Sequence, residues 1–354
     1  MGNNQIFIKL LLLSFLSTLS CFAQENKVDK KIGKVSKLFS NDSVLHIKMN
    51  YANKVVRKST NDSTYLDMAL DYQDGSDDWK SIPVKIRSRG NNRLQNCYFA
   101  PIKMKINKED YKGTLFKGNK KLKLVLPCLT EKDRNDYVLK EFLAYKLYEL
   151  ISPYHYKTRL LEITLTEPKK KNNKVHNIKG FFIEDIKKVA DRHGGKVLKR
   201  NVHPMQQDAL GSVQNAFFQF MIGNTDFSTA YQHNEKLLFV NKTSMPVPFD
   251  FDMSGLCNTS YSVVSQIGDD ELPISSVTQR MYRGFKRDNE VLFEVRNQFL
   301  ENKTKMFAII GTLKGHFENP NAYTQCISYI NEFFDVLAND SKFNKEILNR
   351  ARTK

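Results

Sequence analysis

The chain has 354 residues, with 55 Lys and Arg against 38 Asp and Glu, and a formal charge of +17. A surface this basic favours anionic partners such as phosphates, nucleic acid or acidic envelope polymers, or else simply keeps an exported protein soluble. No stripe of aromatics alternating with Arg accompanies the charge, which argues against specific nucleic-acid recognition.

In chain order, the N-terminus "MGNNQIFIKLLLLSFLSTLSCFAQ" reads as a Sec signal peptide over 1–23: one Lys, an apolar run, then small residues before Gln24. Lipidation at Cys21 is disfavoured because Thr18 stands where a larger aliphatic residue is wanted, and myristoylation at Gly2 because Ile6 replaces the required Ser or Thr. Cleavage removes one charge, Lys9, so +17 falls to +16. No later stretch is apolar for the ~20 residues of a transmembrane helix. The expected location is therefore the periplasm or the exterior.

Residues 24–43 are polar and Lys-rich and predict a flexible leader. From Val44 the pattern alternates with period two: "VLHIKMNYANKVVRK", "YLDMALDYQ", "PVKIRSRG", "CYFAPIKMKI" and "KLKLVLPC" read as strands of a mostly antiparallel sheet. "NDYVLKEFLAYKLYELIS" has helical spacing, with Val138, Phe142, Tyr145, Leu147 and Leu150 on one broad face. Two more strands, "YKTRLLEITLTE" and "IKGFFIEDI", flank a Lys-rich hairpin loop. The expected organisation is a β-rich N-terminal lobe over 44–200, with one main helix, and a helical C-terminal lobe over 201–354. The second lobe opens with a helix over 205–223, continues through short strands "KLLFV" and "PVPFD", and ends in helical patterns over 276–314 and 320–352.

After signal removal four cysteines remain, Cys97, Cys128, Cys257 and Cys326, at spacings that fit no metal motif. Cys97 and Cys128 lie in neighbouring predicted strands and are the preferred pair in an oxidising compartment. Searches for a GxSxG elbow, HExxH, CxxC and GxGxxG after a strand are negative. "GTLFKGNK" is not a phosphate loop, since Asn119 occupies the lysine position.

The stretch that carries chemistry is "GNTDFSTAYQHNEKLLFVNKTSMPVPFDFDMSG", with Asp226, Asn234, Asp250 and Asp252 in turns beside apolar runs. Turn acids commonly serve only their own backbone. In extended chain, however, Asp250 and Asp252 would face the same way and approach one cation. Mg²⁺ takes one or two carboxylates together with phosphate oxygens, and phosphoryl transfer needs such a set plus one Asp to orient the nucleophile.

With "RSRGNNRLQNCYFAPIKMKI", "KLKLVLPC", "LKEFLAYKLYELIS", "GFFIEDI", "FMIGNTDFS", "QHNEKLLF" and "PFDFDMSGL", most of the mature chain resembles the CotH kinase-like family, named for spore-coat protein H, and within it CotH-like secreted proteins of Bacteroidetes. The resemblance implies an α+β, two-lobed atypical protein-kinase-like fold that binds ATP with Mg²⁺ or Mn²⁺ between its lobes. It makes Asp226 the catalytic Asp, Asn234 and Asp250 metal ligands, and Asp252 a replacement for the glycine of a DFG-like element. It places Arg89, Gly90 and Asn91 over the phosphates, and Lys123, fixed by Glu141, on the nucleotide, with Lys103 and Lys105 as rivals. Glu184 falls at the interlobe position as a hinge residue or substrate contact, and His193, His203 and His233 read as solvated or structural. Asn234 follows Asp226 by eight residues where protein kinases have five.

The expected function is an extracytoplasmic, metal-dependent phosphotransferase acting on an acidic protein or an envelope polymer. The alternatives are a non-catalytic binding or assembly protein on the same scaffold, and a hydrolase or other transferase that uses the same acids on a different phosphoester.

Overall fold

The computed structural model describes residues 33–75, 77–90, 92–266 and 272–353. The expected signal peptide at 1–23, leader residues 24–32 and Asn91 lie outside them, whereas leader residues 33–43 are described and place Leu38 and Phe39 in the barrel core.

Alternation builds the first half. Strand β1 (Leu45–Asn50) buries Leu45, Ile47 and Met49 and exposes the residues between them, as a strand with one apolar face must. The chain then turns into helix α1 (Asn53–Ser59), where continued strand was expected, because Val56 packs into the core from a helical turn. Packing here outweighs the strand preference of Val55 and Val56. Next come β2 (Leu66–Gln73), β3 (Trp79–Ser88), the short helix α2 (Asn92–Asn96), β4 (Ile102–Lys105), α3 (Lys108–Tyr111) and β5 (Lys121–Val125). Helix α4 (Arg134–Tyr148) precedes the long hairpin of β6 (Thr158–Glu167) and β7 (Lys174–Glu184).

These seven strands close into a barrel in the order β1-β2-β3-β4-β5-β7-β6. Closure is made by β1 and β6, which pair in parallel from Leu45↔Leu161 to Asn50↔Thr166. Each strand turns one set of side chains into the barrel and the other outward. In β7, Phe182 joins the barrel interior while Phe181 and Ile183 join a second core outside it. Gly180 is required beside them: a Cβ there would meet Ile163 Cδ1 and the Val125 carbonyl at 2.7 Å.

Helix α4 packs on that outer face, with Phe142 and Tyr145 against Phe181 at ring-centroid distances of 5.7 and 5.5 Å. The second core continues into α6 (Ala209–Met221), α7 (Asn289–Thr312), α8 (Pro320–Ala338) and α9 (Asp340–Glu346). Between β7 and α7 lie α5 (Ile186–Arg192), α6 and a three-stranded sheet ordered β10-β9-β8, formed by β8 (Lys196–Leu198), β9 (Glu235–Val240) and β10 (Thr243–Pro248). Asn241 and Lys242 join β9 to β10 with φ of 50° and 65°, the left-handed pair that a tight hairpin turn demands.

The fold therefore differs from the expected two-lobed kinase-like architecture. The mostly antiparallel sheet of the first half closes into a barrel through one parallel pair, β1 with β6, and the short strands expected at "KLLFV" and "PVPFD" are β9 and β10. The described residues form one compact unit. Alternation along a strand reports which residues are buried but not which strand closes on which, so the parallel β1–β6 seam was not readable from it.

Because Phe181 is fully buried where α4 meets the barrel, Phe181→Ala is expected to lower the unfolding free energy by about 3–5 kcal/mol. Urea denaturation followed by circular dichroism checks this.

Candidate functional site

Two acidic loops meet the basic end of the barrel. The first follows α6, whose N-terminus is capped by Asp208 accepting from the Gly211 N–H at 2.8 Å. A chain of buried amides then runs out of the helix: Asn224 Nδ2 donates to Gln219 Oε1 at 2.9 Å, and Asn224 Oδ1 accepts the Asp226 N–H at 3.0 Å. This Asx turn sets the direction in which Asp226 leaves the core.

The Asp226 carboxylate is heavily hydrogen-bonded. Oδ1 meets His233 Nε2 at 3.0 Å and accepts from Ser265 Oγ at 3.3 Å, and Oδ2 accepts from Asn234 Nδ2 at 2.9 Å. Asn234 Nδ2 also lies 2.7 Å from the Asp226 carbonyl. Burial pushes the Asp226 carboxyl up, but the hydrogen bond and charge of His233, with Ser265 and Asn234, outweigh it and hold the group below its usual range. The hydrogen bond to Asp226 in turn raises His233.

The second loop carries Asp250 and Asp252 on either side of the fully buried Phe251. The expectation that they share one face of an extended strand is corrected here: β10 ends at Pro248, and Asp250 has φ of 65°. The left-handed turn gives the two carboxylates different surroundings. The Asp250 N–H donates to Tyr145 Oη at 2.9 Å, while its carboxylate makes no hydrogen bond or ion pair among the described residues. Asp252 is buried, 3.6 Å from Arg93 Nε, and accepts from Tyr261 Oη at 3.1 Å.

The barrel contributes the cations. Lys123 projects outward from β5, with Nζ 4.1 Å from the Phe249 ring centroid and 5.3 Å from that of Tyr156. It has no carboxylate partner among the described residues. Burial, then the positive charge of Arg89, pushes it down to about 7, with Asp250 opposing. Glu141 of α4, expected to pair with Lys123, instead faces Arg93 and Asp252. Burial and the Asp252 charge raise its carboxyl well above the usual range against the pull of Arg93, and Oε1 is buried without a hydrogen bond. Asp252 is likewise raised, by burial first, with Arg93 opposing.

Arg93 is the residue that the sequence reading passed over. Burial opposes its charge, but Asp252, Tyr261 and Glu141 outweigh that and keep it protonated. It sits on α2, held by Arg93 Nη2 donating to the Leu126 carbonyl at 3.1 Å and by the Cys97–Cys128 disulfide, the expected pair, just beyond. The only sequence signal was an Arg four residues past Arg89, which has no periodicity to mark it. Arg89 influences Lys123 electrostatically, and Gly90 beside it has φ of 75°, a turn that glycine makes without strain.

The remaining candidates are placed elsewhere. Glu184 is a buried structural ion pair with Arg192 at 2.8 Å, and it also accepts the Lys157 N–H at 2.7 Å. Lys103 and Lys105 stand on β4, with Lys103 directly opposite Lys123. Cys257 and Cys326 are buried and unpaired.

Among the described residues no group of three or more His, Cys, Asp or Glu side chains is arranged to hold a metal ion. No protein-family model matches the chain, and no curated protein matches it.

The Asp226–His233 pair has a defined pH window. Asp226 is depressed, so its contribution is present above the ordinary Asp value and is lost as pH falls through the folded one. His233 is raised, so the ion pair is complete below the ordinary histidine value of 6.5 and is lost as pH rises through the folded one. NMR titration is expected to place His233 above 6.5, and Asp226→Asn to return it towards that value.

Proposed function

We propose that the site binds a nucleoside triphosphate with Mg²⁺ or Mn²⁺ and passes its terminal phosphoryl group to a hydroxyl on an acidic protein or envelope polymer. The observation that carries this is Lys123: a half-buried ammonium, beside Arg89 and in the field of Asp250, without a carboxylate of its own. A cation so placed favours an anion that is not part of the protein, and a phosphate fits the requirement. Asp250 presents the complementary feature, a carboxylate with no protein partner among the described residues. One such carboxylate together with phosphate oxygens suffices for Mg²⁺, which seldom relies on an all-protein cage.

On this reading a bound nucleotide would supply the phosphoryl group and leave as the nucleoside diphosphate when the bond between its β- and γ-phosphates breaks, and Asp250 would hold a metal ion that offsets the charge. Lys123 and Arg89 hold phosphate oxygens. Asp226, kept ionised and aimed by His233, Ser265 and Asn234, accepts a hydrogen bond from the acceptor hydroxyl and takes its proton as the new bond forms. Arg93, Glu141 and Asp252 form the buried footing beneath, so Asp252 and Glu141 act by positioning. The resemblance to CotH-like proteins, the apolar N-terminal segment and the basic surface agree with a phosphotransferase working in the periplasm or outside the cell.

A second reading, a nucleotide-binding assembly protein without transfer activity, is favoured by one observation. Both Asp226 oxygens and the Asn234 amide already bond within the protein.

The test is transfer of labelled γ-phosphate by residues 24–354 with Mn²⁺ or Mg²⁺ and an acidic acceptor. Asp226→Ala is expected to reduce incorporation by on the order of 10²-fold or more. Absence of incorporation with nucleotide binding intact selects the assembly protein, and absence of both overturns the nucleotide site.

Binding carries its own signature. Lys123 is depressed to about 7 from the ordinary 10.5, so its destabilising influence is relieved as pH rises from about 7 to 10.5, while the protonated form that an anion needs is depleted. ATP affinity, measured by calorimetry, is expected to fall between roughly pH 7 and pH 9. Lys123→Arg, charged throughout, is expected to remove that dependence.

A further inference from the structure

The register of the barrel places basic residues directly opposite one another on the outer face of β3, β4 and β5. Lys85 pairs with Lys105, which pairs with Lys121; one step along, Arg87 pairs with Lys103, which pairs with Lys123. Two consecutive rows of three cations thus cross three strands. The residues between them, Ile86, Met104 and Leu122, are buried in the barrel interior, so alternation turns all six outward.

Like charges directly opposite destabilise a sheet, and ordinary solvated lysines need no such alignment. Two of the six are neutralised within the protein: Lys85 by Asp67 at 2.6 Å and Arg87 by Asp62 at 2.7 Å. Lys103, Lys105, Lys121 and Lys123 have no carboxylate partner among the described residues. Lys123 is also the cation of the candidate site, so the two rows run continuously into it.

We propose that this face binds an extended acidic segment of a protein partner and leads it towards the candidate site. Lysines two apart on a strand, such as Lys103 and Lys105, are spaced by about 6.8 Å. That is the distance between alternate side chains of an extended peptide, so Glu or Asp at every second position meets one lysine each. Single-stranded nucleic acid is the poorer fit, because it needs open aromatic faces on which bases stack. The rings at this face already carry cations, Tyr65 beneath Arg87 and Lys105, and Phe249 and Tyr156 beneath Lys123. Binding stands independently of phosphoryl transfer, whereas the role as an acceptor track rests on the proposed function.

The experiment measures fluorescence anisotropy of a labelled peptide of alternating Glu and Ser with residues 24–354 at low salt and without nucleotide. The variant Lys103→Glu/Lys105→Glu/Lys121→Glu leaves Lys123 in place. Its control, Lys58→Glu/Lys170→Glu/Lys171→Glu, makes the same change in net charge at exposed lysines elsewhere. The face variant is expected to weaken binding by on the order of tenfold to a hundredfold, and the control by much less. The corresponding triple Lys→Gln variant, with melting temperatures for all proteins, separates loss of binding from loss of fold.

Equal weakening by both triple variants would show a general charge effect and overturn the inference. So would absence of peptide binding where single-stranded DNA, polyphosphate or anionic vesicles bind. Face-dependent binding in a protein that transfers no phosphate upholds the face and rejects only the phosphotransferase reading. Transfer to acidic acceptors that is indifferent to the face variant rejects the track.

Discussion

Strand β7 is buried on both sides from Gly180 to Glu184, and the rest of the molecule depends on that burial. Phe182 points into the barrel and Phe181 away from it, so adjacent residues belong to separate cores. A strand buried on one face has a solvent side on which substitutions are cheap. A strand buried on both has none, and its register cannot slip by one residue without exchanging the two cores. Gly180 has no room for a side chain, and Tyr145 of α4 reaches past Phe181 to contact Phe251 at 4.7 Å and the Asp250 N–H. The packing of one helix on one strand thereby sets the position of the loop that bears Asp250.

Electrostatics at the site separate into a buried layer and a facing layer. Below, Arg93 is shared by Asp252 and Glu141, a ratio of one cation to two acids that burial makes unfavourable unless a proton is retained. Above, Lys123 and Arg89 stand near Asp250 with their charges only partly compensated. Removing one partner from the buried layer leaves an unpaired charge, whereas the facing layer is the part that can exchange protein neighbours for a ligand. The Cys97–Cys128 disulfide links the two, because it ties the segment after α2, and so Arg93, to the end of the strand that carries Lys123. Closing a loop of this length contributes about 3–4 kcal/mol by restricting the unfolded chain.

The net charge takes on a different meaning once the barrel is in place. Spread evenly, an excess of lysines would serve solubility. Here part of it is ordered by strand register into two rows, and the geometry of the sheet, more than the total, gives those lysines a direction.

Much of this was legible in the residues. Alternation located nearly every barrel strand, helical spacing located α4, and turn residues beside apolar runs singled out Asp226, Asn234 and Asp250, because each of these signals is local. Three features were decided only by the tertiary structure. Closure through the parallel β1–β6 seam depends on residues more than a hundred positions apart in sequence. The left-handed backbone at Asp250, which takes it out of the extended register with Asp252, lies beside the fully buried Phe251. Arg93 becomes the partner of Asp252 only because a disulfide and a five-residue helix carry it there. A sequence determines its local periodicities and turn chemistry directly, whereas which charges face one another is fixed by the packing of apolar surfaces that bear no charge at all.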